Sequence, residues 1–296
     1  MNVLEVNNIS KTYGKHKALD GLNLTLQKGN VYGLLGPNGS GKTTTLGIIL
    51  DVLKSDSGTY TWFEGQHDPY PRLKIGAILE TPNFYPYLNA LDNLRIVQHI
   101  KQSPEDDLYS LLKWVNLYDR RKSNFKSYSL GMKQRLAIAA ALIGEPEVLI
   151  FDEPTNGLDP QGIAEIREII LKIADEGKTI FMASHILDEV EKICSHVSIL
   201  KNGNLIAEGP VGTILGDSSI LEISTSIDKQ SELQTWIQNR GDLELMKRDG
   251  SIFLVSIEPD CNPANLNKDA FDAGLVLSHI KLRKRSLEEE FLSITK

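Results

Sequence analysis

Gly36-Pro37-Asn38-Gly39-Ser40-Gly41-Lys42-Thr43-Thr44 fits the pattern G-x-x-x-x-G-K-[ST] in full. Each position has a physical reason. Glycines let successive backbone N–H groups turn inward and let a polyphosphate approach the main chain closely. A helix beginning near Lys42 points its positive dipole end at the anion. The Lys42 ammonium can reach the β- and γ-phosphates of a nucleoside triphosphate, and the Thr43 hydroxyl can bind Mg2+. Asn38, Gly39, Ser40, Gly41 and Thr44 complete the candidate cradle.

Working outward, the loop has the flanks this pattern needs. Val31-Tyr-Gly-Leu-Leu35 reads as a buried strand before it, and Leu46-Gly-Ile-Ile-Leu50 as a helix after it. A second apolar run, Val148-Leu-Ile-Phe151, ends in Asp152 and Glu153. A strand that delivers an acid to its end suits a carboxylate holding Mg2+, and Glu153 beside it suits a base that orients and deprotonates water. Without the glycine loop the same pair reads equally well as a surface turn before Pro154. Thr179-Ile-Phe-Met-Ala183 gives a further strand, with a helix expected over about 161–174. Strands alternating with helices predict a parallel sheet covered by helices. Val3–Val6 and Leu22–Leu26 alternate as half-buried strands, and Asn202-Gly203 between two apolar runs predicts a hairpin. Residues 85 to 127 carry helical spacing, as in Leu108, Leu111, Leu112 and Val115.

A second region begins near Gly216 and predicts a small α+β unit. Its expected order is a strand over 220–227, a helix over 231–239, a hairpin at Asp249-Gly250, a helix over 265–273, a strand over 275–280 and a last helix from Ser286. The block Lys281-Leu-Arg-Lys-Arg285 followed by Glu288-Glu-Glu290 reads as a solvated face.

Composition narrows the function classes. The chain has 296 residues and 41% hydrophobic content, enough for about two domains with real cores. Its net charge of −7 argues against a dedicated nucleic-acid binder. Cys194 and Cys261 have no close-paired spacing, so neither a disulfide framework nor a zinc site is expected, and a reducing cytoplasm fits. No leader pattern opens the chain, and the longest apolar run, Leu136–Ile143, is far short of the ~20 residues that cross a bilayer.

From roughly Leu4 to Glu208 these motifs resemble the nucleotide-binding domain of ATP-binding-cassette (ABC) ATPases. The segment Tyr128-Ser-Leu-Gly-Met-Lys-Gln-Arg-Leu136 is similar to the family signature, with Ser129 and Gly131 matching its Ser-Gly-Gly-Gln core and Leu130 and Met132 departing from it. Physically, Ser129 reads as the cap of a helix covering Lys133 to Ile143, and such a helix start is a second anion site. Taken alone it reads as a capped core helix. The resemblance implies that this site faces the γ-phosphate bound by another subunit. It also implies that Asp159, in Asn156-Gly-Leu-Asp159, joins the two subunits' sites, that His185 contacts the γ-phosphate, and that Tyr13 stacks on the adenine. His16, His67, His99, His196 and His279 form no cluster and read as structural. Many members carry Gln at a Mg2+-sensing position where this chain has Glu80, in Ile75-Gly-Ala-Ile-Leu-Glu80. Similar glutamates occur in the bacitracin and lantibiotic-immunity exporters, which the runs Asn83-Phe-Tyr-Pro-Tyr-Leu88 and Ser286-Leu-Glu-Glu-Glu-Phe-Leu292 also resemble.

The resemblance implies an α/β P-loop NTPase core of the ABC type over 1–217, with mixed sheet and a helical subdomain at about 85–145. A C-terminal α+β domain then covers 218–296. It implies ATP and Mg2+ as cofactors, with Thr43, Asp152 and Glu80 toward the metal. Partners are a second nucleotide-binding domain, in a homodimer or heterodimer, and a separate transmembrane permease that meets the segment near Phe84 to Leu94. The place of work is the cytoplasmic face of the cell membrane, reached through that partner. Two other readings stand beside the exporter. A soluble ABC ATPase acting on nucleic acid or ribosomes is disfavoured, since one cassette and no long insertion over 45–127 depart from those members, and no nucleic acid is expected. A module that binds ATP without hydrolysis is disfavoured by the presence of both Glu153 and His185.

Overall fold

The structure, a computed structural model, describes residues 1–65, 70–104, 106–215, 219–257 and 261–295. It divides into two compact units, Met1–Val211 and Gly212–Lys296. The boundary expected between 217 and 218, and His67, lie outside the described residues. No helix among the described residues is long and apolar enough to cross a membrane.

The first unit runs β1 (Asn2–Tyr13), β2 (His16–Gln27), β3 (Val31–Leu35), α1 (Lys42–Ile49), β4 (Ser57–Trp62), β5 (Ile75–Ile78) and α2 (Ala90–Ile100). It continues with α3 (Leu108–Trp114), α4 (Leu130–Leu142), β6 (Val148–Asp152), α5 (Pro160–Asp175), β7 (Thr179–Ser184), α6 (Leu187–Ile193), β8 (His196–Lys201) and β9 (Asn204–Pro210). The alternating segments at the start form an antiparallel sheet of order β2-β1-β4. Leu4, Val6 and Ile9 of β1 and Leu22, Leu24 and Leu26 of β2 turn inward from it. The apolar runs form a six-stranded sheet of order β5-β6-β7-β3-β8-β9, parallel except for β9. Every residue of β3, β6 and β7 is buried, as expected for strands covered on both faces. One core joins the inner faces of both sheets to Leu46, Ile48 and Ile49 of α1. Helix α1 is buried along most of its length, and its polar first turn, where Thr43 is exposed, opens on the glycine loop. The expected hairpin is present: Asn202 and Gly203 both take positive φ, 50° and 78°, the turn that matches strand twist.

Three elements escaped the sequence reading. Strand β4 is largely exposed and polar, so it lacks an alternating apolar signal. Strand β5 has four residues, one of them Gly76. Helix α6 has seven residues, too few for a periodic pattern. Gly76 has a packing reason: a Cβ there would sit 2.3 Å from the carbonyl oxygen of Ala141 on α4. Strand and helix touch backbone to backbone at that point. Gly76→Ala is expected to lower unfolding stability by about 1–3 kcal/mol through overpacking, read as a lower denaturant midpoint with unchanged slope.

In the second unit α7 (Val211–Leu215) leads into β10 (Ser219–Thr225), α8 (Gln230–Gln238), β11 (Leu243–Asp249), β12 (Ile252–Ile257), α9 (Pro263–Asp272), β13 (Leu277–Lys284) and α10 (Leu287–Thr295). The sheet has order β11-β12-β10-β13 and is antiparallel throughout. Leu221, Ile223, Phe253 and Val255 pack on Leu233 and Ile237 of α8 and Leu266 and Ala270 of α9. The charge block is not simply a solvated face. Residues 281–284 finish β13, and Arg283 sits 2.7 Å from both Glu222 and Glu289 while Arg285 pairs with Glu290 at 2.7 Å. The Arg283 hydrogen bond pulls the Glu289 carboxyl down to about 2. A sequence reading sees the charges in a row; the strand register is what sets them against partners.

Candidate functional site

The candidate residues gather at the carboxyl ends of the parallel strands, the usual ligand position in such sheets. Register aligns those ends. Leu35 pairs with Ser184 and Asp152 with Ala183. The glycine loop leaves β3, Asp152 ends β6, His185 follows β7 and Glu80 follows β5 by two residues.

Two glycines of the loop are required by space. At Gly36 a Cβ would meet Ser40 Oγ at 2.3 Å and the Leu200 carbonyl at 2.4 Å. Gly41 takes φ 111°, and its Cβ would meet the Ala18 carbonyl at 2.5 Å. The hairpin turn supports the loop from outside, since Gly203 N donates to Ser40 O at 3.1 Å. Lys42 is 6% exposed. Its ammonium curls back over the loop, donating to Gly36 O at 2.8 Å and Pro37 O at 3.4 Å, and lies 3.6 Å from Glu153 Oε1.

The acids stand opposite. Asp152 is 1% exposed, and burial raises its pKa; Glu153 and Glu80 add to the rise, while the Thr43 hydroxyl and Lys42 oppose it. Both Asp152 oxygens are buried and accept no hydrogen bond of good geometry, so Thr43 is a close neighbour rather than a bonded one. Glu153 holds a left-handed backbone, φ 49°, fixed by its N–H donating to Ala183 O at 3.0 Å. Glu80 shares that unusual geometry with φ 51°. Non-glycine residues in this region concentrate at functional sites. The Glu153 Oε2 atom lies 2.8 Å from His185 Nδ1 and accepts from His185 N at 3.3 Å.

A cavity of about 560 Å³ joins most of the candidates. Tyr13, Asn38, Gly39, Gly41, Lys42, Thr43, Thr44, Glu80, Asp152 and Glu153 line it. Ser40 does not; its hydroxyl is buried beneath the loop. His185 reaches the cavity through Glu153. Among the lining residues outside the candidate set of the sequence reading are His16, Gln134 and Asn156. His16, read there as structural, lines the mouth with Tyr13, its strand partner across Gly14-Lys15. The tight Tyr-Gly-Lys-His turn was the available signal. Gln134, the glutamine separated by one residue from the signature core, and Asn156, which heads the loop ending in Asp159, also line the wall, though neither was a candidate site residue.

Ser129, Gly131 and Asp159 fall elsewhere, in a second concavity of about 470 Å³. Helix α4 starts at Leu130, three residues before the expected Lys133, because Ser129 caps it by accepting from Met132 N at 3.3 Å. Asp159 caps α5 by accepting from Gly162 N at 2.8 Å. Leu130 lines both cavities.

Comparisons with known proteins agree with this geometry. The family model described as "ABC transporter" matches residues 19–156. The bacitracin transport ATP-binding protein BcrA of Enterococcus faecalis is 35% identical over 98% of this chain and 95% of its own length. The lantibiotic transport ATP-binding protein SrtF of Streptococcus pyogenes is 44% identical over 70% of this chain and 90% of its own. Among solved structures, a dimeric ATP-binding cassette in a post-hydrolysis state with ADP and Pi superposes with TM-score 0.62 at 26% identity, over 71% of this chain and 99% of that one. Motifs, strand-end geometry and full-length similarity converge, and the chain belongs to the ATP-binding ATPases of the ABC transporter family.

Proposed function

We propose that this chain is the ATP-hydrolysing subunit of a membrane exporter, and that two such domains close head-to-tail around ATP to drive a separate transmembrane permease. The observation that supports this best is the split of the site. One chain carries the phosphate loop with its acids in one cavity, and Ser129, Gly131 and Asp159 in another. A capped helix start such as that of α4 suits an anion, yet on its own chain Ser129 and Gly131 line only the second concavity, while Leu130 and Gln134 also reach the phosphate-loop cavity. Pairing about a twofold axis brings each half to the other's partner at two sites, in a homodimer or, with the axis approximate, a heterodimer. The names of the relatives, bacitracin and lantibiotic transport proteins, favour export at the cytoplasmic face of the cell membrane.

Within one composite site the roles follow from position. Tyr13 stacks on the base, and backbone N–H groups of Asn38 to Thr44 hold the phosphates. Lys42 leaves its carbonyl contacts for the β- and γ-phosphates. Glu153 takes the proton of the attacking water, with His185 holding the carboxylate and reaching the γ-phosphate. Ser129 and Gly131 from the opposite subunit close over that phosphate, and Asp159 joins the two halves. Mg2+ fits the donor set: Asp152 offers two buried oxygens without hydrogen-bond partners, beside the Thr43 hydroxyl and the Glu80 carboxylate. The described residues hold no cluster of three or more His, Cys, Asp or Glu that could bind a metal. Mg2+ usually binds through one or two carboxylates plus substrate phosphates. Bound there, it neutralises charge on the phosphates. The permease meets the loop at 84–88, where Tyr85 and Tyr87 are exposed. Asn93, 1% exposed, pins that loop by accepting from Tyr85 N and donating to Asn89 O.

A mixing experiment tests the shared site. Gly131→Asp has room, with Leu158 Cδ2 the nearest atom to a Cβ at 3.8 Å, but it puts a carboxylate against the incoming phosphate. Gly131→Asp and Glu153→Gln are each inactive alone. Mixed one to one, half the dimers are mixed and each holds one intact site, so turnover returns to about a quarter of wild type. Turnover no higher than the sum of the separate variants refutes the head-to-tail reading.

A further inference from the structure

The chain is acidic overall, net −7, but residues 118–135 hold six Lys or Arg and one acid, Asp119. Arg135 lines the second concavity and pairs with Glu165, but Arg120, Lys122 and Lys126 line neither cavity of the ATPase site. Arg120, Lys122 and Lys126 are exposed and make no ion pair among the described residues. Backbone contacts fix them beside the exposed tyrosines. Lys126 N donates to Pro86 O at 3.0 Å, Phe125 N to Leu88 O at 2.9 Å, and Asn124 bridges Asn89. Tyr85 and Tyr87, 49% and 66% exposed, lie against each other with ring centroids 5.9 Å apart and planes tilted by 57°. The result is one continuous patch of unpaired cations and amphipathic rings.

We propose that this patch binds the anionic headgroups of a lipid bilayer directly. Two observations select lipid over an acidic protein segment. The three cations are long, exposed side chains without the paired acids that fix a cation for a specific partner. The rings beside them are tyrosines, whose apolar body and polar tip suit the interface between headgroups and acyl chains. The patch shares Tyr85 and Tyr87 with the surface assigned above to the permease, so the inference rests on that reading for its biological setting: lipid holds these rings only while the permease does not. Each basic residue near an anionic surface strengthens attachment about fivefold at low salt. Attachment through the patch holds the ATPase at the membrane before the permease is engaged.

The test is flotation of the full-length chain with vesicles, without nucleotide. Wild type is expected to float with phosphatidylglycerol–phosphatidylcholine vesicles, not with phosphatidylcholine alone, and to be released by 1 M salt, where screening acts within about 3 Å. The variant Arg120→Gln/Lys122→Gln/Lys126→Gln is expected to bind about a hundredfold more weakly, with ATP affinity unchanged. Lys281→Gln/Lys284→Gln, which removes the same kind of charge from β13, is expected to float like wild type. Equal flotation with neutral vesicles, unchanged flotation of the triple variant, or equal loss in the β13 variant overturns the proposal. So does capture by a polyglutamate peptide without vesicle binding, which points to an acidic protein segment. Failure of the mixing experiment leaves the flotation result untouched, so the two readings fail separately.

Discussion

Glu153→Gln is expected to abolish turnover while leaving ATP tightly held, so that an ATP-bound dimer accumulates. The amide is nearly isosteric and keeps an oxygen to accept from His185 N, as Oε2 does at 3.3 Å. It cannot take a proton from water, and loss of a positioned base slows such a step about 10²–10⁴-fold. Binding should not suffer. The Glu153 carboxylate lies 3.6 Å from the Lys42 ammonium, where it competes with phosphate oxygens for the same cation. The substitution removes that competitor and one negative charge beside the γ-phosphate. With chemistry blocked, the contacts that close the two subunits persist, because hydrolysis is what releases them. Phosphate release and light scattering with Mg2+ and ATP read the two halves of the claim. Normal turnover refutes Glu153 as the base. Lost turnover without a dimer keeps the base and refutes ATP as the element that joins the subunits.

The parts of the molecule legible in the sequence are those where chemistry and burial act on neighbouring residues. Val31–Leu35, Val148–Phe151 and Thr179–Ala183 are apolar because both faces of their sheet are covered, and the structure makes all three strands of one sheet. The glycine loop was legible because close approach leaves no alternative residue at Gly36 or Gly41. Asn202-Gly203 was legible because two successive positive φ angles demand such a pair. What stayed hidden depends on residues distant in the chain. Strand β4 exists because β1 offers it an edge, not because Ser57–Trp62 has strong strand character of its own. His16 reaches the cavity because Gly14-Lys15 folds it back beside Tyr13. Gln134 sits one helical turn beyond Leu130 on α4 and enters the cavity wall only once α4 packs near the acids. Arg283 looked solvated until the pairing of β13 with β10 brought it to Glu222.

Lys42→Ala is expected to remove the response to ATP while sparing the fold. The side chain is 6% exposed, and its ammonium is satisfied by Gly36 O and Pro37 O within its own loop. Truncation therefore leaves two carbonyls and the Glu153 carboxylate without their cation, a local loss at the rim of an open cavity rather than in the apolar core. Without nucleotide, the midpoint of thermal unfolding should fall by a few degrees at most, as for about 1 kcal/mol in a chain of this size. Nucleotide binding is another matter. The β- and γ-phosphates lose a desolvated charge partner, an effect of about 2–5 kcal/mol when one member of such a pair is cut away. Affinity should fall by about thirtyfold to several thousandfold. The two effects separate in one measurement. A ligand present at 100 times its dissociation constant stabilises the folded state by about 2.7 kcal/mol. Wild type at that concentration of Mg2+ and ATP should show the full upward shift of its midpoint; Lys42→Ala at the same concentration should show about a third of it or less. An equal shift in both proteins means the ammonium does not meet the phosphates, and the loop reading fails at its central residue. A variant already unfolded without ATP is answered by Lys42→Arg, which keeps a cation over Gly36 O but replaces the compact ammonium with a larger planar fork. That variant should fold like wild type and still lose most of the shift, because the crowding that admits only glycine at Gly36 and Gly41 also fixes how large a cation the loop can hold.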